Sequence, residues 1–129
     1  MAHKVSWLKE NRVLMAQYFG HQDEETLKAC MDEMVEFFDT CERPVVVLID
    51  WRDVTDCELK ALLNMRGHRV YSHPMAARGV LVGMDIMAQF ENEISAVKTR
   101  DGKNTQYFDT MDEAMRYLDE MLAEDRNSP

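Results

Sequence analysis

Asp50, Asp53, Asp56 and Glu58 stand within nine positions of one another, with Cys57 between the last two. Several carboxylates at that spacing could hold a hard cation such as magnesium. Cys57 offers other chemistry. At a helix N-terminus the positive end of the peptide dipoles would favour its thiolate, the form that senses oxidants. Asp56 and Glu58 push the other way, because a neighbouring negative charge disfavours a second anion. An acidic rim and a small packed cysteine are the simpler expectation, and no metal or cofactor is expected. Trp51, at the start of the same stretch, carries a large amphipathic ring that could line a pocket or a partner surface.

A second cluster is basic. Between Asn64 and Val80 the chain holds Arg66, Arg69 and Arg78, two histidines and no acid. Such a stretch could receive an anionic ligand or an acidic partner, although cations also suit a helix C-terminus. His68 and His73 are five apart and flank an expected break, so they cannot share a helix face as ligands. No Gly-rich phosphate loop, Gly-x-Ser-x-Gly or Cys-x-x-Cys is present. With no nucleophile–base pair to assemble, the chain does not read as an enzyme.

These residues must be positioned by the elements around them. Val5–Leu8 and Arg12–Phe19 read as strands joined by the polar turn Lys9–Arg12. Gly20 to Gln22 breaks the pattern. Asp23, Glu24 and Glu25 open a helix whose apolar stripe is Leu27, Cys30, Met31, Met34, Val35 and Phe38. Arg43–Asp50 follows as a strand, and the apolar run Val45–Ile49 suits burial on both faces in mid-sheet. Residues 51–55 read as a short polar loop. Thr55-Asp-Cys-Glu58 matches a capping box, predicting a helix from Asp56 to about Arg69 that ends before His73-Pro74. Gly79–Met84 is a further strand. Asp85 then caps a helix with Ile86, Phe90, Ile94 and Val97 on one face, and Asp101-Gly102 marks a turn. Thr105–Phe108 is the last strand. Thr110-Met-Asp-Glu113 repeats the capping pattern ahead of a helix striped with Met111, Ala114, Met115, Leu118, Met121 and Leu122. The order is ββαβαβαβα. It implies an α/β fold with one single-layer mixed sheet, an N-terminal hairpin and four helices, as one domain over residues 1–124 with a frayed tail at 125–129.

Composition narrows the function classes. A net charge of −9 over 129 residues repels phosphate and argues against nucleic-acid binding. No apolar stretch is long enough for a membrane span, and residues 1–9 hold no signal core. Three cysteines are too few, and odd in number, for a disulfide framework; a cytoplasmic, reducing setting is expected. Eleven methionines, many at helical spacing, read mainly as core filling. They also leave room for a carrier or sensor that holds an apolar molecule or lipid in a methionine-lined pocket beneath Trp51.

Two segments resemble the STAS domains, and more closely their SpoIIAA-like branch of small stand-alone proteins. One runs from Val47-Leu-Ile-Asp50 through Val54-Thr-Asp56 to Leu59-Lys-Ala-Leu-Leu63; the other is Tyr107–Leu118. The resemblance covers nearly the whole chain as an order of elements. In the family's anti-sigma-factor antagonists, a serine after the Asp of the strand–helix turn is phosphorylated by a partner kinase. Asp56 matches that Asp, which places Cys57 at the phosphoacceptor position and leaves the family's glycine without a counterpart. A thiol is not the usual substrate of such a kinase, so the phospho-switch is not carried over; Thr55 is the nearest hydroxyl. The resemblance implies a non-enzymatic regulatory module that docks a protein partner or small ligand. Its edge would comprise Asp50, Trp51, Asp53, Thr55, Asp56, Cys57 and Glu58, with Arg66, Arg69 and Arg78 as a second surface. A homodimer is the usual closed assembly for such a compact chain.

Overall fold

Alternating apolar residues in the first 60 positions have two layers of helix to face, and the strands divide accordingly. A computed structural model describes residues 2–83 and 105–127. Strands β1 (His3–Lys9), β2 (Val13–Gln22), β3 (Val45–Cys57), β4 (Ala76–Val82) and β5 (Thr105–Phe108) form one sheet in the order β1-β2-β3-β4-β5. The β1–β2 pair is antiparallel; every other pairing is parallel. The expected hairpin is present and its turn places Asn11 at φ +60°. Among the described residues there are three α-helices: α1 (Glu24–Asp39), α2 (Leu59–Asn64) and α3 (Met111–Asn127). The helix expected from Asp85 and the turn at Asp101-Gly102 lie outside the described residues. Helix α3 runs to Asn127, into the stretch read as a tail.

Because side chains alternate across a strand, each central strand feeds two cores. Leu14, Ala16, Tyr18, Val45, Val47 and Trp51 face α1 and α2, where Leu27, Cys30, Phe38 and Leu62 meet them. Val13, Val46, Leu48, Val80 and Val82 face α3 and its stripe Ala114, Leu118, Met121 and Leu122. The apolar run Val45–Leu48 is therefore buried on both sides, as its sequence implied.

Helix α1 begins where Asp23 caps it. Asp23 Oδ1 accepts the Thr26 N–H at 2.9 Å, and Thr26 Oγ1 accepts the Asp23 N–H at 2.8 Å. The same reciprocal logic was expected at Thr55–Glu58, and there the structure departs from it. Strand β3 continues through those residues to Cys57, Glu58 is the N-cap of α2, and it makes no side-chain capping bond. Thr55 Oγ1 instead donates to Asp56 Oδ1 at 3.2 Å. Pairing with β2 (Asp53 with Phe19, Val54 with Gly20, Asp56 with His21, Cys57 with Gln22) and burial of Val54 outweigh a cap worth about 1 kcal/mol. The helix is accordingly short. It gives way to tight 3-10 turns at Met65–Gly67 and Arg69–Ser72. At Thr110 the expected cap does form: its Oγ1 accepts the Glu113 N–H at 3.2 Å.

Two histidines fasten this irregular stretch to α1 in the same way. His68 Nδ1 accepts the Val70 N–H at 3.0 Å and its Nε2–H donates to Asp32 at 2.8 Å. His73 Nδ1 accepts the Met75 N–H at 3.1 Å and its Nε2–H donates to Asp39 at 2.9 Å. In both, the backbone bond fixes which ring nitrogen carries the proton. They are structural ties.

Candidate functional site

The carboxyl ends of β2 and β3 lie side by side, each leading to a helix, and this is where open α/β sheets place ligands. The residues singled out at 50–58 divide there into buried and exposed sets. Asp50 is only 2% exposed, and its carboxylate is bonded mainly by Arg52 of its own strand, with a further bond from Gln17 on β2. Oδ1 accepts the Arg52 N–H and Nε–H, each at 3.0 Å, and Oδ2 accepts Nη2–H at 2.9 Å. Burial alone would raise the Asp50 pKa, but these bonds outweigh it and hold the carboxyl below its ordinary value. Trp51 is buried too, with its ring 5.2 Å from that of Tyr18. It is a core residue of the α1–α2 layer rather than the wall of an open pocket. Met31, Met34 and Met65 fill the same core.

Gly83 fixes the geometry around Arg52. Its φ is +77°, and a Cβ there would stand 2.7 Å from the Arg52 nitrogen and 2.8 Å from its Cα. Only glycine lets the chain leaving β4 pass so close to β3.

Beyond Asp50 the strand is irregular in a specific way. Its last pairing with β4 is Asp50 with Val82, while pairing with β2 continues to Cys57. Two register shifts interrupt the β2 ladder, between Gln17 and Phe19 and between Gly20 and His21, each inserting one extra residue on β3. Such bulges re-aim side chains at a strand's end. Asp53, Thr55, Asp56 and Glu58 are all exposed as a result.

A residue outside the expected set joins them. His21, at the end of β2, has Nδ1 2.8 Å from Asp56 Oδ2 and Nε2 3.3 Å from Glu58 Oε2. Asp23 contributes a third carboxylate: among the described residues, ligand atoms of His21, Asp23 and Glu58 lie within 4.8 Å of one another. The main chain clamps the two junctions together, since the Glu58 N–H donates to the Gln22 carbonyl at 3.0 Å. The hydrogen bond to Asp56, with lesser help from Glu58, raises the His21 pKa despite its desolvation. The same bond lowers that of Asp56. The acids of 50–58 thus do not form one cluster. Asp50 is sealed with Arg52, whereas Asp56 and Glu58 turn towards His21.

Cys57 does not sit at an activating helix end. It is the last residue of β3 and only half-buried; its Sγ–H points to the Glu58 carbonyl at 3.7 Å. Desolvation, then the charges of Asp56 and Glu58, push its thiol up to about 11. Cys30, Cys41 and Cys57 are all free. The arginines also separate. Arg69 lies on a 3-10 turn in the α1–α2 layer, where neighbouring Val70 is buried. Arg78 pairs with Val46 on β4, a register position on the α3 side. Both are exposed, but they do not make one patch, and the Arg66 side chain lies outside the described residues.

No protein-family model matches the chain, and no curated protein matches it. Among solved structures it is similar to an uncharacterised protein of the DUF3478 family, with a SpoIIAA-like fold, from Shewanella loihica PV-4. The TM-score is 0.64 at 14% identity, covering 91% of this chain and 92% of that one. The fold is therefore SpoIIAA-like, as the resemblance at 47–63 and 107–118 implied. No helix among the described residues is long and apolar enough to cross a membrane.

Proposed function

We propose that the protein is a non-catalytic docking module that binds a partner protein through the acidic rim at the carboxyl end of β3. The observation that carries this reading is the extension of β3 past its last β4 pairing, which presents Asp53, Thr55 and Asp56 outward on a bulged strand. A strand held by β2 on one side is rigid enough to offer these groups in one arrangement, so little ordering entropy opposes binding. The chemistry favours a partner with a basic surface: the rim is acidic and the whole chain carries −9. The thiol of Cys57 is held protonated beside these acids and supplies no nucleophile to the rim.

Asp53→Lys is the direct test, with Arg69→Glu in the α1–α2 layer as comparison. Tagged full-length protein is used to recover partners from cells under native conditions. A specific partner should be lost with Asp53→Lys and kept with Arg69→Glu. Equal recovery with both variants removes the rim as the interface.

A further inference from the structure

We infer that His21, Asp23 and Glu58 form a binding site for a divalent transition-metal cation of the zinc class, with Asp56 orienting the imidazole. The donor set comes from three positions that the topology brings together: the end of β2, the cap of α1 and the cap of α2. The inference stands independently of partner docking.

Two observations point to a cation rather than to a chance acidic surface. The first is the division of labour on the ring. Asp56 Oδ2 lies 2.8 Å from Nδ1, so in the neutral ring it takes Nδ1–H and leaves Nε2, which faces Glu58, as the donor atom for a metal. A carboxylate on the far nitrogen is the support that metal-bound histidines use to set ring orientation and basicity. The second is spacing. Tetrahedral bonds of about 2.0–2.1 Å put two ligand atoms roughly 3.4 Å apart. Nε2 and Glu58 Oε2 are 3.3 Å apart, which is long for a charge-assisted hydrogen bond and fitting for two ligands of one ion. Asp23 completes the set, with a carboxylate oxygen within 4.8 Å of the other two ligand atoms.

The charge balance agrees. With His21 neutral, Asp23, Glu58 and Asp56 place three negative charges around the position. The positive end of α1 opposes a cation there, but it amounts to only about half a charge, and Asp23 already caps it. The nitrogen donor selects against magnesium and calcium, which prefer oxygen alone. Three protein ligands leave a coordination position for water or for a donor brought by another molecule. On binding, any proton on Nε2 passes to solvent, and the imidazole lone pair forms the bond to the metal.

The test uses chelator-stripped full-length protein titrated with zinc chloride by calorimetry. One ion per chain is expected, with magnesium chloride giving no comparable heat. His21→Gln and Glu58→Gln should each weaken zinc at least tenfold while leaving the circular dichroism spectrum unchanged. Asp56→Asn should weaken it about 10–100-fold through the ring's orientation. Cys57→Ser should bind as wild type, and cobalt(II) should give visible bands without a thiolate charge-transfer band. Wild-type affinity in His21→Gln, loss of binding in Cys57→Ser, or no zinc heat at all would each overturn the site.

Discussion

At the scale of single residues, neighbours in sequence have opposite fates. Asp50 and Asp53 are three apart; one is buried against Arg52 and the other faces water. Cys57 illustrates how environment decides reactivity. Position alone suggested an activated thiol, whereas partial burial and two flanking carboxylates give a thiol held up near 11. At pH 8 its alkylation by iodoacetamide should run about a hundredfold slower than at an ordinary exposed cysteine. The rate should climb about tenfold per pH unit up to pH 10, following the thiolate fraction. Peptide-resolved mass spectrometry reads this directly. Rapid, pH-independent labelling of Cys57 would show that the carboxylates do not govern it.

At the scale of elements, the exit of β4 depends on one glycine. Gly83→Ala should destabilise the protein by about 2–4 kcal/mol. The substitution adds a side chain at positive φ and sets its Cβ against the Arg52 backbone. Urea unfolding should show a lower midpoint with an unchanged slope; an unchanged midpoint would mean the two strands part freely there. Elements were legible in the sequence where the pattern was apolar. Val45–Ile49, the α1 stripe and Thr105–Phe108 all took the expected form. Residues 51–57 were not legible as strand. Their polar residues mimic a loop, and Thr55-x-x-Glu58 fits a cap that long-range pairing with β2 overrides. Only the apolar residues Trp51 and Val54, their spacing thrown out of step by a bulge, hinted at a strand. His21 was missed because Gly20 to Gln22 reads as a break. The available signal was topological: in a βαβ unit the ends of both parallel strands meet, so polar residues closing each belong together.

At the scale of the whole molecule, charge and architecture act on each other. The two cores share one sheet, so the central strands have no outer face on which to place charge. The acids therefore collect on helix surfaces and strand ends. A net charge of −9 on a chain this small repels itself, and the compact state bears more of that repulsion than the unfolded one. Raising sodium chloride from about 0.01 M to about 0.3 M shortens the screening length several-fold and should raise the melting temperature. A melting temperature that falls over this range would show that attractive pairs such as Lys28–Asp32 and His3–Glu33 outweigh the repulsion.

The two bulges of β3 make the outward set a matter of residue count. Side chains on a strand swap faces with each residue gained or lost. Deleting Thr55 would leave every acid of the segment in the chain, yet it would reverse which of the residues before it share a face with Asp56. The length of this stretch, as much as its composition, decides which groups face outward. Homologous chains are best compared there by the number of residues between Asp50 and the first turn of α2, before any substitution is weighed.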